Sequence, residues 1–581
     1  MLGKLGSNIR TNAMPIALAA AVICTVALLY FAYATGTFSN TFSIETKGLL
    51  TAKEGMRLIE LEDGDSYTLE AGYVSKEIGN RAIRMIAYNG SIPGPLVKVE
   101  QGSTVTMHFT NNLDIPMTVH SHGLRLDVKS DGTPGLSQDA VEPGETFTYT
   151  LRFPDGGVYW YHPHVREDYA QELGLTGNYL VQPTAYTLPP VNAEDTLIVD
   201  DILIEDDAVF PFFKDRVNFA IMGRFGNIML TNGVTDYSRE YQTGDVVRLN
   251  ITNVANARPF EFTIPGARMK LVASDLSPFE RETFIEKILM GPSERYVVDV
   301  YFPKEGTYTL THTSHDLALG PMSYKMATFK VMPRTSGTST VRTFNTLHRM
   351  AWVTKEAATF SDWLYKKPER TLRLTMDPGK IDFGSSMDQL PCHRMPDGVW
   401  MGKCTEAKKE QWLAGLSAED ASMGGEKIHW EDHTFELNSV TTNKDITWQI
   451  LDETTDKRNM DIDDWKYAVG DTIKVRVFND PLSPHPMQHP FHMHGQRMMV
   501  ISINSEAVDN KVWKDSILIP VGDTYDIAVE FSNPGVWMAH CHIAEHMHSG
   551  MMFNFVVGAE YFTEYDTIQK NSGSHDTHGH E

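Results

Sequence analysis

The chain has 581 residues, of which 41% are hydrophobic and 22% charged. That is a globular composition, with room for about three or four domains. Lys and Arg total 51 against 75 Asp and Glu, a net charge of −24, so the basic footprint of a nucleic-acid binder is missing. Four cysteines are too few for a disulfide scaffold, whereas 28 Met and 22 His supply copper-compatible side chains.

Residues 13–34 are an uncharged, mostly apolar run, long enough at helical rise to cross a bilayer core of about 30 Å. Lys4 and Arg10 precede it, which predicts a cytoplasmic N-terminus. Ala32-Tyr33-Ala34 equally fits a signal-peptide cleavage site. Membrane anchor and cleaved signal both stand as readings of residues 1–40. Either one predicts an extracytoplasmic location, whether periplasmic, cell-surface or secreted.

The next feature is repetition. One pattern occurs at 99–111 (VEQGSTVTMHFTN), 241–253 (YQTGDVVRLNITN) and 467–479 (YAVGDTIKVRVFN). A second occurs at 145–164 (ETFTYTLRFPDGGVYWYHPH), 294–313 (ERYVVDVYFPKEGTYTLTHT) and 523–542 (DTYDIAVEFSNPGVWMAHCH). Both alternate with period 2, as half-buried strands do: Val105, Met107 and Phe109 share one face, and Phe147, Tyr149 and Leu151 another. The repetition predicts an all-β chain of three tandem β-sandwich domains. Their limits are 41–185, 190–335 and 370–560, with a connector at 336–369, an insertion at about 379–430 and a His-containing tail at 561–581.

The copies differ in chemistry. Copy one carries His120-Ser121-His122-Gly123 and His162-Pro163-His164; copy three carries His492-Met493-His494-Gly495 and His540-Cys541-His542. Copy two has Thr263-Ile264-Pro265-Gly266 and Thr311-His312-Thr313 instead. On a strand the two histidines of H-x-H point the same way, so a pair can share a metal or simply line a polar face. Four pairs at matched positions, absent from the middle copy, favour metal, because eight clustered imidazoles would otherwise strand polar nitrogens in an interior. Copy three adds His489, Cys541, His546 and Met551, where copy one has Met117, Pro163, Asp168 and Leu173. Two His, a Cys thiolate and a weak axial Met are the ligands of a blue-copper electron-transfer site.

These residues, as HSHG, HPH, HPFHMHG and HCHIAEHMHSGMM, resemble the signatures of the multicopper oxidase family, and the resemblance runs from about residue 66 to 557. It implies three cupredoxin-like Greek-key domains and four coppers per chain. The type 1 copper would take His489, Cys541, His546 and Met551, and the type 2 copper His120 and His492. The type 3 pair would take His122, His162, His164, His494, His540 and His542. The implied reaction couples four one-electron oxidations of a metal-ion or small-molecule donor, through Cys541, to reduction of O2 to water. Asp131 falls where similar bacterial oxidases have an acid near the cluster, though an Asp before Gly132 also suits a turn. Many bacterial relatives have Glu after the last type 1 histidine; here the residue is Met547, which leaves the second proton donor open. Glu545 is expected to point elsewhere, and His548 to lie at the surface.

The donor is less legible. The insertion contains Met387, Cys392, His393, Met395, Met401, Cys404 and Met423, soft groups suited to Cu(I). Cys392 and Cys404 either form a disulfide or bind copper, and 406–421 reads as a helix over the type 1 site. His485 and Met487 are expected on the rim where electrons enter, as substrate-binding residues. Cu(I) and phenols are the two donor classes, and His575, His578 and His580 in the tail are possible metal collectors. A non-catalytic copper-binding or storage protein of the same fold is the alternative; a copper nitrite reductase, which assembles its sites between subunits, fits less well.

Overall fold

A computed structural model describes residues 40–316, 320–379, 381, 393–394, 400–401 and 427–572. The apolar run 13–34, both cysteines of the insertion, the helix expected at 406–421 and the tail histidines lie outside these residues. Among the described residues no helix is long and apolar enough to cross a membrane. The chain divides into two compact units, one of residues up to Ser43 with Pro211–Arg216, the other of Ile44–Phe210 with Val217–Glu581. In the first, Thr41 and Phe213 form an antiparallel bridge. The second contains all the sandwiches.

Each sandwich pairs two sheets, of five and five strands in the first, six and five in the middle one and eight and five in the third, and in the outer two one five-stranded sheet carries the histidines. In the first, Leu58–Glu60, Leu96–Glu100, Gly177–Gln182, Gly157–His162 and His120–His122 lie in that order. The middle sandwich has Ser238–Gln242, Met322–Met332, Gly306–Ser314, Phe260–Thr263 and Ile288–Met290. The third has Lys466–Tyr467, Met552–Val557, Gly535–Cys541, His489–Met493 and Ser516–Ile519.

The repeated patterns pair with each other in register. Met107 faces Tyr149, Leu249 faces Val298 and Val475 faces Ile527. The Asn that ends each first pattern performs one task three times. Asn111 Nδ2 donates to the carbonyls of Ile115 and Val141, Asn253 Nδ2 to those of Arg258 and Met290, and Asn479 Nδ2 to those of Met487 and Ile519, all at 2.8–3.2 Å. Each buried amide thereby has both of its N–H donors satisfied by backbone carbonyls.

Between the second and third sandwiches lie the short helices Val341–Phe344 and Ala351–Ala358. Trp513 Nε1 donates to Glu356 Oε2 at 2.7 Å, which ties this segment to the third sandwich.

Candidate metal centre

Strand pairing assembles the histidines. His120, on the edge strand of its five-stranded sheet, sits opposite His162, and His492 sits opposite His540 on two inner strands of theirs. The first and third sandwiches bring these strand pairs together, with the rings of His122 and His492 stacked at 3.8 Å between centroids and those of His120 and His494 tilted at 4.1 Å. All eight histidines of the four H-x-H pairs are buried. Their ligand atoms form three groups whose members lie within 4.8 Å of one another: His120, His122 and His492; His122, His162 and His542; His164, His494 and His540.

In seven of the eight rings one nitrogen faces out of the cluster to a fixed acceptor. Nδ1 donates to the Asp131 carbonyl from His120 (2.7 Å), to the Pro163 carbonyl from His162 (2.8 Å) and to the Asp515 carbonyl from His492 (2.7 Å). His164 Nδ1 meets Glu167 Oε1 at 2.9 Å, His494 Nδ1 meets Asp131 Oδ2 at 2.9 Å, and His540 Nδ1 meets the Cys541 carbonyl at 2.8 Å. His122 is the reverse, with Nε2 3.0 Å from Asp515 Oδ1. The opposite nitrogens, Nδ1 of His122 and Nε2 of His120, His162, His164, His492 and His542, are buried with no hydrogen-bond partner. His494 and His540 point Nε2 at each other across 3.0 Å. Burial and the neighbouring rings hold His122, His162, His492 and His540 well below the usual histidine range, with His494 pushed down to about 3. Rings held neutral, with lone pairs converging on one buried space, are metal ligands in waiting, and the outer hydrogen bonds fix which nitrogen is bare.

The second group lies inside the third sandwich. Cys541 Sγ is 3.5 Å from His489 Nδ1 and 3.8 Å from His546 Nδ1, and the two Nδ1 atoms are 3.4 Å apart. Met551 is buried in the same core, and its backbone closes the loop: Cys541 N donates to the Met551 carbonyl and Met551 N to the His546 carbonyl. Trp448 stacks on His546 at 4.1 Å and meets His489 edge-on at 4.9 Å. Burial pushes the Cys541 thiol up, so its thiolate requires a cation beside it. Imidazole and thiolate donors of this kind suit copper.

Carboxylates ring the larger cluster. Asp131 is buried, touches His494, lies 3.4 Å from His120 Nδ1 and accepts from Thr133 Oγ1 at 2.6 Å. Burial opposes its ionisation, but His494 and His120 hold it well below the usual carboxylate range. Glu167 bridges His164 and His548, the latter at 2.6 Å from Nε2 to Oε2. It too is held well below its range against burial, by those two histidines. His548 is partly exposed, as expected from sequence, but it is paired with Glu167. Glu545 does point elsewhere, against Asp168 and Arg224, and burial raises its carboxyl to about 8.

The expected electron-entry rim needs correction. Met487 is fully buried, because Asn479 bonds its carbonyl and draws the chain inward, so it offers no thioether to solvent. His485 is half-buried, with its ring 5.8 Å from that of His429. Sequence reasoning missed His429, whose backbone exchanges two hydrogen bonds with the Gln488 side chain beside His489.

Fold and site together define a copper-binding oxidoreductase built from cupredoxin-like sandwiches. Family profiles described as multicopper oxidase match residues 71–185, 201–330 and 420–560. The chain belongs to the multicopper oxidase family. It is 24% identical to multicopper oxidase mco of Staphylococcus aureus over 501 residues, covering 84% of this chain and 87% of that protein. It is also 24% identical to a copper resistance protein A homolog of Pseudomonas syringae pv. tomato, covering 84% and 91%. The laccase-like multi-copper oxidase CueO of Ochrobactrum sp. shares the fold, with a TM-score of 0.62, 21% identity and coverage of 87% and 99%.

Proposed function

We propose that the protein is an extracytoplasmic oxidase, exported through residues 13–34, that takes single electrons at the His489–Cys541–His546–Met551 set and reduces O2 to water at the eight-histidine cluster. The observation that carries this reading is the convergence of buried, bare ring nitrogens from two sandwiches, covalently adjoined to Cys541 through His540 and His542. Copper bound at both places supplies the one-electron redox chemistry that dioxygen reduction needs. The fit predicts four ions per chain. His120 and His492 would hold one, His122, His162 and His542 a second, and His164, His494 and His540 a third. The Cys541 set would hold the fourth.

The chain's own residues supply the rest. The Cys541 carbonyl accepts from His540 Nδ1, which adds a hydrogen-bonded shortcut to the peptide path between the two sites. Asp131 fixes His494 through Oδ2, while Oδ1 makes no hydrogen bond and is the place to hold an incoming proton. Glu167 keeps the His164 proton on Nδ1 and leaves Nε2 for the metal.

For the donor we infer Cu(I). His489 and His546 are 1% and 0% exposed, so a phenol has no bare ligand edge to stack on, whereas the sequence of the insertion at about 379–430 supplies soft Met and Cys donors that suit Cu(I). The copper-resistance name of one relative agrees with this; the laccase-like name of another supports phenols as the second reading. The test is steady-state O2 uptake by copper-loaded protein with Cu(I), Fe(II), Mn(II) and a phenol, beside metal analysis. Turnover fastest on Cu(I) is expected, and faster turnover on the phenol reverses the assignment. Bound copper with no O2 uptake on any donor would make this a storage protein.

A further inference from the structure

The middle sandwich has no histidine at the repeated metal positions, yet one of its side chains reaches the ligand cluster. Arg295 begins the strand Arg295–Tyr301 and is fully buried. The second repeated pattern places Thr146 and Thr524 at the same position in the copies that carry the histidines. Only the copy without them has Arg.

Its guanidinium joins all three sandwiches. Nε donates to the Val158 carbonyl of the first sandwich at 2.9 Å, and Nη1 to the Ser293 carbonyl of its own at 3.0 Å. Nη1 and Nη2 together grip the Asp515 carboxylate of the third, at 2.6 and 2.5 Å. Asp515 in turn accepts from His122 Nε2 on Oδ1 and from His492 Nδ1 on its carbonyl. Gly123, which closes the His-Ser-His-Gly motif, is shaped by the same pair. A Cβ there would lie 2.3 Å from Asp515 Oδ2 and 2.8 Å from Arg295 Nη2.

A fully buried ion pair is a poor source of stability, since desolvation consumes most of its attraction. A bidentate guanidinium does fix a carboxylate plane, and that plane fixes the hydrogen bond to His122. His122 is the ring that must stand reversed, with Nδ1 inward. We propose that Arg295 is a positioning residue of the trinuclear cluster: by clamping Asp515 it holds His122 with Nδ1 turned toward the metal and steadies His492 beside it. The middle sandwich thus shapes the metal site without contributing a ligand.

This inference rests on the copper reading above, and the experiment separates the two. Copper-loaded R295M, R295K and G123A are compared with wild type for copper content, type 1 blue absorption, the near-ultraviolet band of the type 3 pair, and the type 2 EPR spectrum. R295M is expected to keep the blue colour, lose most of the type 3 band, shift the type 2 hyperfine splitting, and reduce O2 more slowly by about 10–100-fold. R295K, with one donor centre for the carboxylate, should recover part of the band. G123A, which displaces the same carboxylate sterically, should reproduce the R295M spectra, and it decides by the same criteria if R295M does not fold. A wild-type type 3 band and type 2 spectrum in R295M overturns the clamp. Joint loss of type 1 and type 3 signals in both R295M and G123A reduces Arg295 to a structural residue and also overturns it. Wild type that takes up no copper overturns the copper reading instead.

Discussion

The middle sandwich and its two neighbours use one strand pair for opposite purposes. His120 faces His162, His492 faces His540 and Thr263 faces Thr311, the same pairing three times. In the outer copies these positions are buried between sandwiches, whereas Thr263 and Thr311 are half-exposed. The next residue along turns to the other face, inside its own sandwich. There the third copy has Cys541 and the middle copy His312. Glu261 N donates to His312 Nδ1 at 3.1 Å, and Tyr324 stacks on its ring. Period-2 alternation therefore separates the two metal sites: His540 and His542 serve the space between domains, and Cys541 serves the core of one. The fold offers the places, and residue type decides which are used.

Exchanging roles across this comparison gives the largest expected effect. His164→Ala should abolish O2 uptake and lower copper content while leaving the blue colour of the Cys541 site. His312→Ala should keep copper and activity but destabilise the fold by roughly 2–4 kcal/mol, the cost of a cavity and an unpaired amide. Equal copper loss in both variants, by metal analysis, would break the comparison.

Next in size is Asp131→Asn. Loss of proton delivery is expected to slow O2 reduction by about 10²–10⁴-fold, with reduction of the blue site by the donor unchanged in stopped flow. If both steps slow together, Asp131 serves the histidines only as a hydrogen-bond acceptor. Glu167→Ala should be milder, weakening copper binding about 10–100-fold by freeing the His164 ring, as competition with a chelator would measure.

Much of this was legible in the sequence because its signals are local. Alternation gave the strands, two segments each occurring three times gave the repeat, and H-x-H spacing gave a shared face. What escaped depends on distance or on backbone direction. His122 and Asp515 are 393 residues apart, and Arg295 and Asp515 are 220 apart, so no spacing rule joins them. Met487 was misplaced because a soft side chain near a ligand gives no sign of which way its strand end is pulled. One overlooked signal was local after all. An acid stands three residues after His164, Thr313 and His542 alike, as Glu167, Asp316 and Glu545. Glu167 and Asp316 each meet a histidine, His548 and His433 respectively.

The third acid yields the smallest and most specific prediction. Glu545 has the same place in the repeat as Glu167 but lies against Arg224 and Asp168, and burial dominates, raising its carboxyl to about 8. An acid whose folded value exceeds its unfolded value of 4.5 binds more protons in the native state between the two. Stability is then fully present below the unfolded value, declines as pH rises, and levels off above about 8. Glu545→Gln keeps the shape and removes the titration. The melting temperatures of variant and wild type should therefore nearly coincide at acidic pH and diverge on the alkaline side, with the variant more stable. Glu167 predicts the contrary slope, since its carboxylate is held low by His164 and His548, and Glu167→Gln should cost stability at neutral pH. Parallel melting curves for the two variants from acid to alkali would show that repeat position, not local partners, governs these acids.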